Sequence, residues 1–263
     1  MAAEAAFAGA AGRVWAEFRP ADGGVRSGPW PVMWPAAFEL AVPWRGFPSF
    51  RGQSNFPGWW WSATTGGHVG YESWLERDHL MLLDFDRFVT GFSSQPFRLS
   101  WDAGNEVRRR HVPDFFARLA DGSGVVVDVR ADDRIGPRDA AAFEATARAC
   151  DLAGWQFRRV GAVGPVLLAN VRWLAGYRHP RHGVRVALPA CREAFGAGLP
   201  LAGGARLLGD PVAVLAGVYH WLWRGELAAA GLERRPLSMA TLVSVPGPAK
   251  GLAEMKRMLR WSG

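Results

Sequence analysis

The sequence predicts an α/β fold, a mixed sheet flanked by helices, with a small, mainly helical module at the C-terminal end. Three observations predict it. Two strand-like runs, His111–Phe116 and Val125–Arg130, are joined through Asp121-Gly122-Ser123-Gly124. A DG-type turn between β-branched and aromatic runs marks a hairpin. Helical patterns alternate with further strand-like runs between residues 72 and 176. Beyond the stretch Tyr177-Arg178-His179-Pro180-Arg181 the pattern becomes mainly helical. The expected parts are a Trp/Pro/Gly-rich N-terminal arm (1–65), a sheet-bearing domain (66–180) and a helical domain (181–263).

In chain order, residues 1–65 carry Trp30, Trp34, Trp44, Trp59, Trp60 and Trp61 with weak periodicity, the mark of irregular or short-strand structure. Such aromatics either stack on bases or pack against the domain, and packing is the commoner use. Residues 72–85 read as an amphipathic helix with Trp74, Leu75, Leu82 and Leu83 on one side. Ser73-x-x-Glu76 is its capping box. Strands are expected near 87–92, 95–101, 107–119 and 124–130. A helix follows from Pro137, near its start, to Ala153, with Gly154 just past its end. Trp155–Val160 reads as a strand and Pro165–Gly176 as a helix. Helices at 184–195, 211–224 and 250–260, with the apolar stretch Thr241–Val245 between the last two, suit a winged-helix-like module.

Composition narrows the function classes. The chain has 263 residues, 49% hydrophobic, enough for a packed core. It has no apolar run long enough to span a bilayer, and its first residues lack the basic start and apolar core of a secretory signal. Two cysteines, Cys150 and Cys191, make no disulfide framework; a reducing cytoplasm is the expected location. The net charge of +7 and a pI of about 10.3 favour an anionic partner, nucleic acid first. The basic residues are almost all arginine, and no lysine precedes Lys250. There is no phosphate-binding Gly-x-x-x-x-Gly-Lys loop and no Gly-x-Ser-x-Gly elbow. His179 and His182 with Cys150 or Cys191 have the spacing of no closed zinc site.

The hairpin carries the chemistry. The positions of Asp114 and Asp128 sum to about twice that of the turn centre, so the two should lie nearly opposite each other, with Cβ atoms roughly 5 Å apart. Two such carboxylates repel unless a cation lies between them, and a divalent metal with oxygen ligands is the usual occupant. An Asp followed by (Asp/Glu)-x-Lys on the next strand is the pattern of restriction-endonuclease-like nucleases; here Arg130 stands at the lysine position. Arginine does not deprotonate in proteins. Arg130 would therefore orient the attacking water or stabilise charge at phosphorus, with base work left to metal-activated water, or else the site is degenerate. Glu76 has two competing readings, a helix cap or a catalytic carboxylate, with Glu72 one turn away as the fallback. Arg108-Arg109-Arg110-His111 runs into the Asp114 strand, either as candidate phosphate contacts or as an ordinary solvated basic strand end. Arg178 and Arg181 form a second basic cluster.

Four ordered motifs resemble the TnsA-like endonuclease subunits of heteromeric transposases. They are Gly70-Tyr71-Glu72-Ser73-Trp74-Leu75-Glu76-Arg77-Asp78, Ser94-Gln95-Pro96-Phe97, Arg110-His111-Val112-Pro113-Asp114-Phe115 and Val127-Asp128-Val129-Arg130. The resemblance covers roughly residues 50–180. It implies a restriction-endonuclease-like fold and cutting of one strand at transposon ends, leaving 3′-hydroxyl and 5′-phosphate ends. It implies as partners double-stranded transposon-end DNA, a DDE-type, TnsB-like transposase and an AAA+, TnsC-like regulator. It places the helix glutamate on Glu76, the metal-binding aspartate on Asp114 and the strand pair on Asp128 and Arg130. Mg²⁺, with Mn²⁺ able to substitute, would be held by Asp114, Asp128 and the carbonyl of Val129, with Glu76 on a metal water or a second ion. The rival readings are a stand-alone defence nuclease of the same fold and a non-catalytic DNA-binding or assembly subunit.

Overall fold

The computed structural model describes residues 14–53, 55–102 and 108–247. They form two compact units, one of residues up to Arg77 together with Val89–Ala162, the other of Asp78–Phe88 together with the residues from Val163 onward. This division differs from the three-part reading. The Trp-rich segment belongs to the same unit as the carboxylate hairpin, and the chain passes to the second unit at Val163 rather than near 180.

The first unit is mixed α/β. Its central sheet has the order β10-β9-β8-β5 (Gln156–Val160, Gly124–Val129, Phe115–Leu119, Val89–Ser94). β10 is parallel to β9 and the other neighbours are antiparallel. Helix α3, Pro137–Leu152, makes the crossover between the parallel strands, as a parallel pair requires. Pro137 opens it, and the Asp139 carboxylate accepts from the Gly136 N–H at 3.0 Å. A second four-stranded antiparallel sheet runs β2-β1-β6-β7 (Arg26–Pro29, Val14–Phe18, Arg98–Asp102, Arg108–His111). β3 and β4 (Gly58–Trp61, His68–Tyr71) form a separate hairpin.

Two expectations are corrected here. The single strand expected over 107–119 is two strands, β7 and β8, in different sheets. Pro113 lies in the break; with no N–H and a fixed φ it ends one ladder before the next begins. The N-terminal segment is not an arm, because β1 lies inside a sheet, between β2 and β6. Short helix α1, Trp30–Met33, places Trp30 in the core, its indole N–H on the Ala149 carbonyl at 2.6 Å. Phe38, Phe97 and Trp155 surround it, ring centroids 5.4–6.1 Å away. Cys150 is buried in this cluster, which pushes its thiol pKa up.

Helix α2, Trp74–Phe85, contains the boundary between the units. It is not amphipathic in the expected sense: every residue from Asp78 to Asp84 is buried, while Trp74 is exposed. The second unit is mainly helical. It holds α4 (Pro165–Ala175), α5 (Leu188–Phe195), α6 (Leu201–Leu208) and α7 (Pro211–Trp223). Three short strands, β11 (Leu199–Pro200), β12 (Ala228–Ala229) and β13 (Leu242–Ser244), pair around β13. Helix α6 was not expected from the sequence, and the expected helix at 250–260 lies outside the described residues. Buried Asn170 ties the segment 232–237 to α4. Its amide donates to the Leu232 and Arg235 carbonyls and its oxygen accepts from the Leu237 N–H, all at 2.7–2.8 Å. Among the described residues no single helix is long and apolar enough to cross a membrane.

Candidate active site

The β8–β9 register pairs Phe115 with Val127 and Phe116 with Val126. Continued one residue outward, it sets Asp114 opposite Asp128. Both carboxylates border a cleft of ≈ 770 Å³ in the first unit, together with Glu72, Glu76, Arg45, Arg110, His111, Val129 and Arg130.

Each aspartate spends one oxygen on the protein. Oδ2 of Asp114 accepts from the Val129 N–H at 2.7 Å. Oδ2 of Asp128, a buried residue, is 2.8 Å from Nε2 of His111. Burial first, then the charges of Asp128 and Glu76, push the Asp114 pKa well above the usual carboxylate range. Desolvation and like charge both disfavour its ionised form. Six carboxylates and four guanidinia line the cleft, so the cleft is net negative when all of these are ionised.

Glu76 does its capping job. Ser73 Oγ donates to its Oε1 at 2.9 Å, and the Glu72 N–H donates to its Oε2 at 2.7 Å. The Glu76 N–H in turn donates to Ser73 Oγ at 3.2 Å. Burial pushes its pKa up, against these hydrogen bonds. Glu72 is held by Arg45 through two bonds of 2.8 Å and by the Gln95 amide at 2.9 Å.

Arg130 lines the cleft, but its guanidinium is turned to the start of α3. Nη2 reaches Asp139 at 3.2 Å and Nε reaches the Arg134 carbonyl at 3.1 Å. Of the three successive arginines on β7, Arg110 lines the cleft. Arg108 donates to Ser100 Oγ, and Arg109 is exposed on the same strand. Arg178 and Arg181 belong to the second unit. Arg178 is half-buried and donates to the Ala175 carbonyl, and burial lowers its pKa; Arg181 is exposed.

Sequence reasoning assigned no individual role to Arg45 or Gln95 and read His111 only as the end of a basic run toward phosphate; all three build this site. Gln95 has φ +48° although it is not glycine and precedes a proline, a position biased toward extended backbone. Its N–H donates to the Asp114 carbonyl at 2.8 Å and its carbonyl accepts from the Trp44 N–H at 3.0 Å. Its side-chain oxygen accepts from the Arg45 N–H at 3.1 Å. Every polar group of this buried residue is used to join the Arg45 loop, Glu72 and Asp114. The positive φ costs about 1–2 kcal/mol, and the four bonds offset it. The Gln95-Pro96 pair is the local signal that could have drawn notice.

Among the described residues no three His, Cys, Asp or Glu side chains converge as a ready-made metal site. The donor set nevertheless fits Mg²⁺, which typically binds through one or two carboxylates and keeps several waters. No protein-family model and no curated protein matches the chain.

Proposed function

We propose that the protein is a Mg²⁺-dependent DNA endonuclease of the restriction-endonuclease-like fold, acting as the TnsA-like subunit of a heteromeric transposase. It would hydrolyse one strand at transposon ends beside a DDE-type transposase and an AAA+ regulator. The observation that carries the reading is the placement of Asp114 opposite Asp128, in a cleft where burial and like charge disfavour ionised Asp114. The mixed sheet, with its α3 crossover and a glutamate in the first turn of α2, supports the fold.

Asp114, Asp128 and the Val129 carbonyl would hold Mg²⁺ or Mn²⁺. A bound ion supplies charge neutralisation at phosphorus and lowers the pKa of water. The chain's own residues orient the pair. The Val129 N–H fixes one oxygen of Asp114, His111 fixes one of Asp128, and Gln95 ties Asp114 to the Glu72–Arg45 pair. Arg110 and Arg134 present guanidinia suited to phosphate, while Arg45 and Arg130 are held by Glu72 and Asp139. For Glu76 to act on substrate or metal it must give up part of its cap, which makes it the weakest of the assigned residues.

Two observations favour a second reading, a non-catalytic DNA-binding subunit: Arg130 is engaged by Asp139, and Glu76 is engaged by its cap. Cleavage of end-labelled transposon-end DNA with Mg²⁺ or Mn²⁺, the partner transposase present, separates the two. Single-strand cutting that Asp114→Ala abolishes is the expected result. No cutting by wild type or Arg130→Lys, with assembly demonstrated, would establish the second reading.

A further inference from the structure

The second unit carries a surface that the cleft chemistry does not use. Within that unit, residues 163–192 contain five arginines and no aspartate or glutamate. On this stretch and on α7 the rings form a continuous tier. Tyr177 lies 4.8 Å from Tyr219 and 5.4 Å from His182, and Trp173 lies 6.0 Å from Tyr177 and 6.2 Å from Tyr219. Trp173 is 56% exposed, an unusual state for an indole that has an aromatic cluster to pack against.

Arginines border the tier. Arg181 is exposed and donates through Nε to His182 Nε2 at 3.3 Å, which fixes its guanidinium beside the rings. Arg185 is exposed one turn further on. Among the described residues neither pairs with a carboxylate. Arg172 differs, since its charge is taken by Asp78 at 2.8 Å.

We propose that the Trp173–Tyr177–Tyr219–His182 tier, with Arg181 and Arg185, binds an unpaired DNA strand, bases stacking on Trp173 and phosphates meeting the two guanidinia. The combination argues for a strand rather than a duplex. Guanidinia alone would serve a duplex backbone, but an exposed indole gains most from a base whose face is free, and such stacking is sequence-tolerant. This surface is separate from the carboxylate cleft, and its binding requires no catalysis.

The test is fluorescence anisotropy of the full-length protein in EDTA, with a labelled mixed-sequence single strand and the corresponding duplex. Cleavage is thereby excluded, so a failure of the nuclease reading leaves this result intact. Wild type should bind the single strand, and the Trp173 substitution should weaken that binding far more than it weakens duplex binding. Trp173→Ala should weaken single-strand binding about tenfold, and Trp173→Phe should restore most of it. Arg181→Ala with Arg185→Ala should reduce the salt slope by roughly 1.4, about 0.7 per lost phosphate contact. All these side chains are at the surface, and circular dichroism would verify folding of each variant. Single-strand binding unchanged in Trp173→Ala, or weakened no more than duplex binding, would overturn the proposal.

Discussion

The His111 imidazole, on a strand of one sheet, lies 2.8 Å from the carboxylate of Asp128, on a strand of another. The contact joins the two four-stranded sheets of the first unit at the cleft. It also gives the buried Asp128 carboxylate a hydrogen-bond partner.

His111→Ala removes that partner and leaves a buried carboxylate without it. An unsatisfied buried group costs about 1–3 kcal/mol, more for a charge. Urea unfolding should show a loss in this range, and Mg²⁺ affinity by calorimetry should change with it. An unchanged midpoint would mean that water replaces the imidazole.

Asp114→Asn should stabilise the metal-free protein at neutral pH. The folded pKa of Asp114 is raised, so between the ordinary carboxylate value and that raised value the native state holds more protons than the unfolded state. Stability contributed by this group is present below the unfolded pKa and is lost as pH rises through the folded one. The Tm advantage of Asp114→Asn over wild type should therefore grow from pH 4 to pH 8. Mg²⁺ should raise the Tm of wild type and not that of the variant.

Gln95 separates backbone strain from side-chain bonding. Gln95→Ala keeps the positive φ and loses the bonds to Arg45 and Glu72. Gln95→Gly loses the same bonds and removes the strain. Both should be destabilised, the alanine variant by about 1 kcal/mol more than the glycine. Equal losses in denaturant melts would show that the backbone there relaxes.

Gly124 opens β9 against two rings. An added Cβ would stand 2.7 Å from Phe116 and from Trp155. Gly124→Ala should cost about 1–3 kcal/mol through overpacking, read as a lower Tm with the secondary-structure spectrum retained.

Arg130→Lys should leave stability within about 0.5 kcal/mol, because the Arg130–Asp139 pair is solvent-exposed and such pairs contribute little. Its effect should appear in strand cleavage, where a lysine able to lose its proton raises the rate. A large Tm change would mean instead that Arg130 is chiefly an anchor for the start of α3.

Much of the local structure was legible in the residues. The turn signal Asp121–Gly124 set the hairpin, and the positions on either side of it placed Asp114 nearly across from Asp128. Ser73 and Glu76 announced the start of α2, and Pro137 with Gly154 bracketed α3. Each is a short-range effect of hydrogen bonding or backbone sterics within a few residues. The break at Pro113 was also written in the chain, yet it was outweighed by the continuous strand-like composition on either side.

What the sequence determined by itself is the hairpin with its facing pair of carboxylates and the ends of α2 and α3, because turns, caps and register act over short distances. Tertiary structure decided what surrounds that pair. His111 meets Asp128 across 17 residues, Arg45 meets Glu72 across 27, and Gln95 meets the Arg45 backbone across 50. It also decided that Arg130 turns to Asp139 and that both oxygens of Glu76 stay with its cap. No local pattern encodes such meetings. They follow from how sheets and loops pack once their apolar faces are buried, and that packing fixes the polar partners left within reach of each carboxylate.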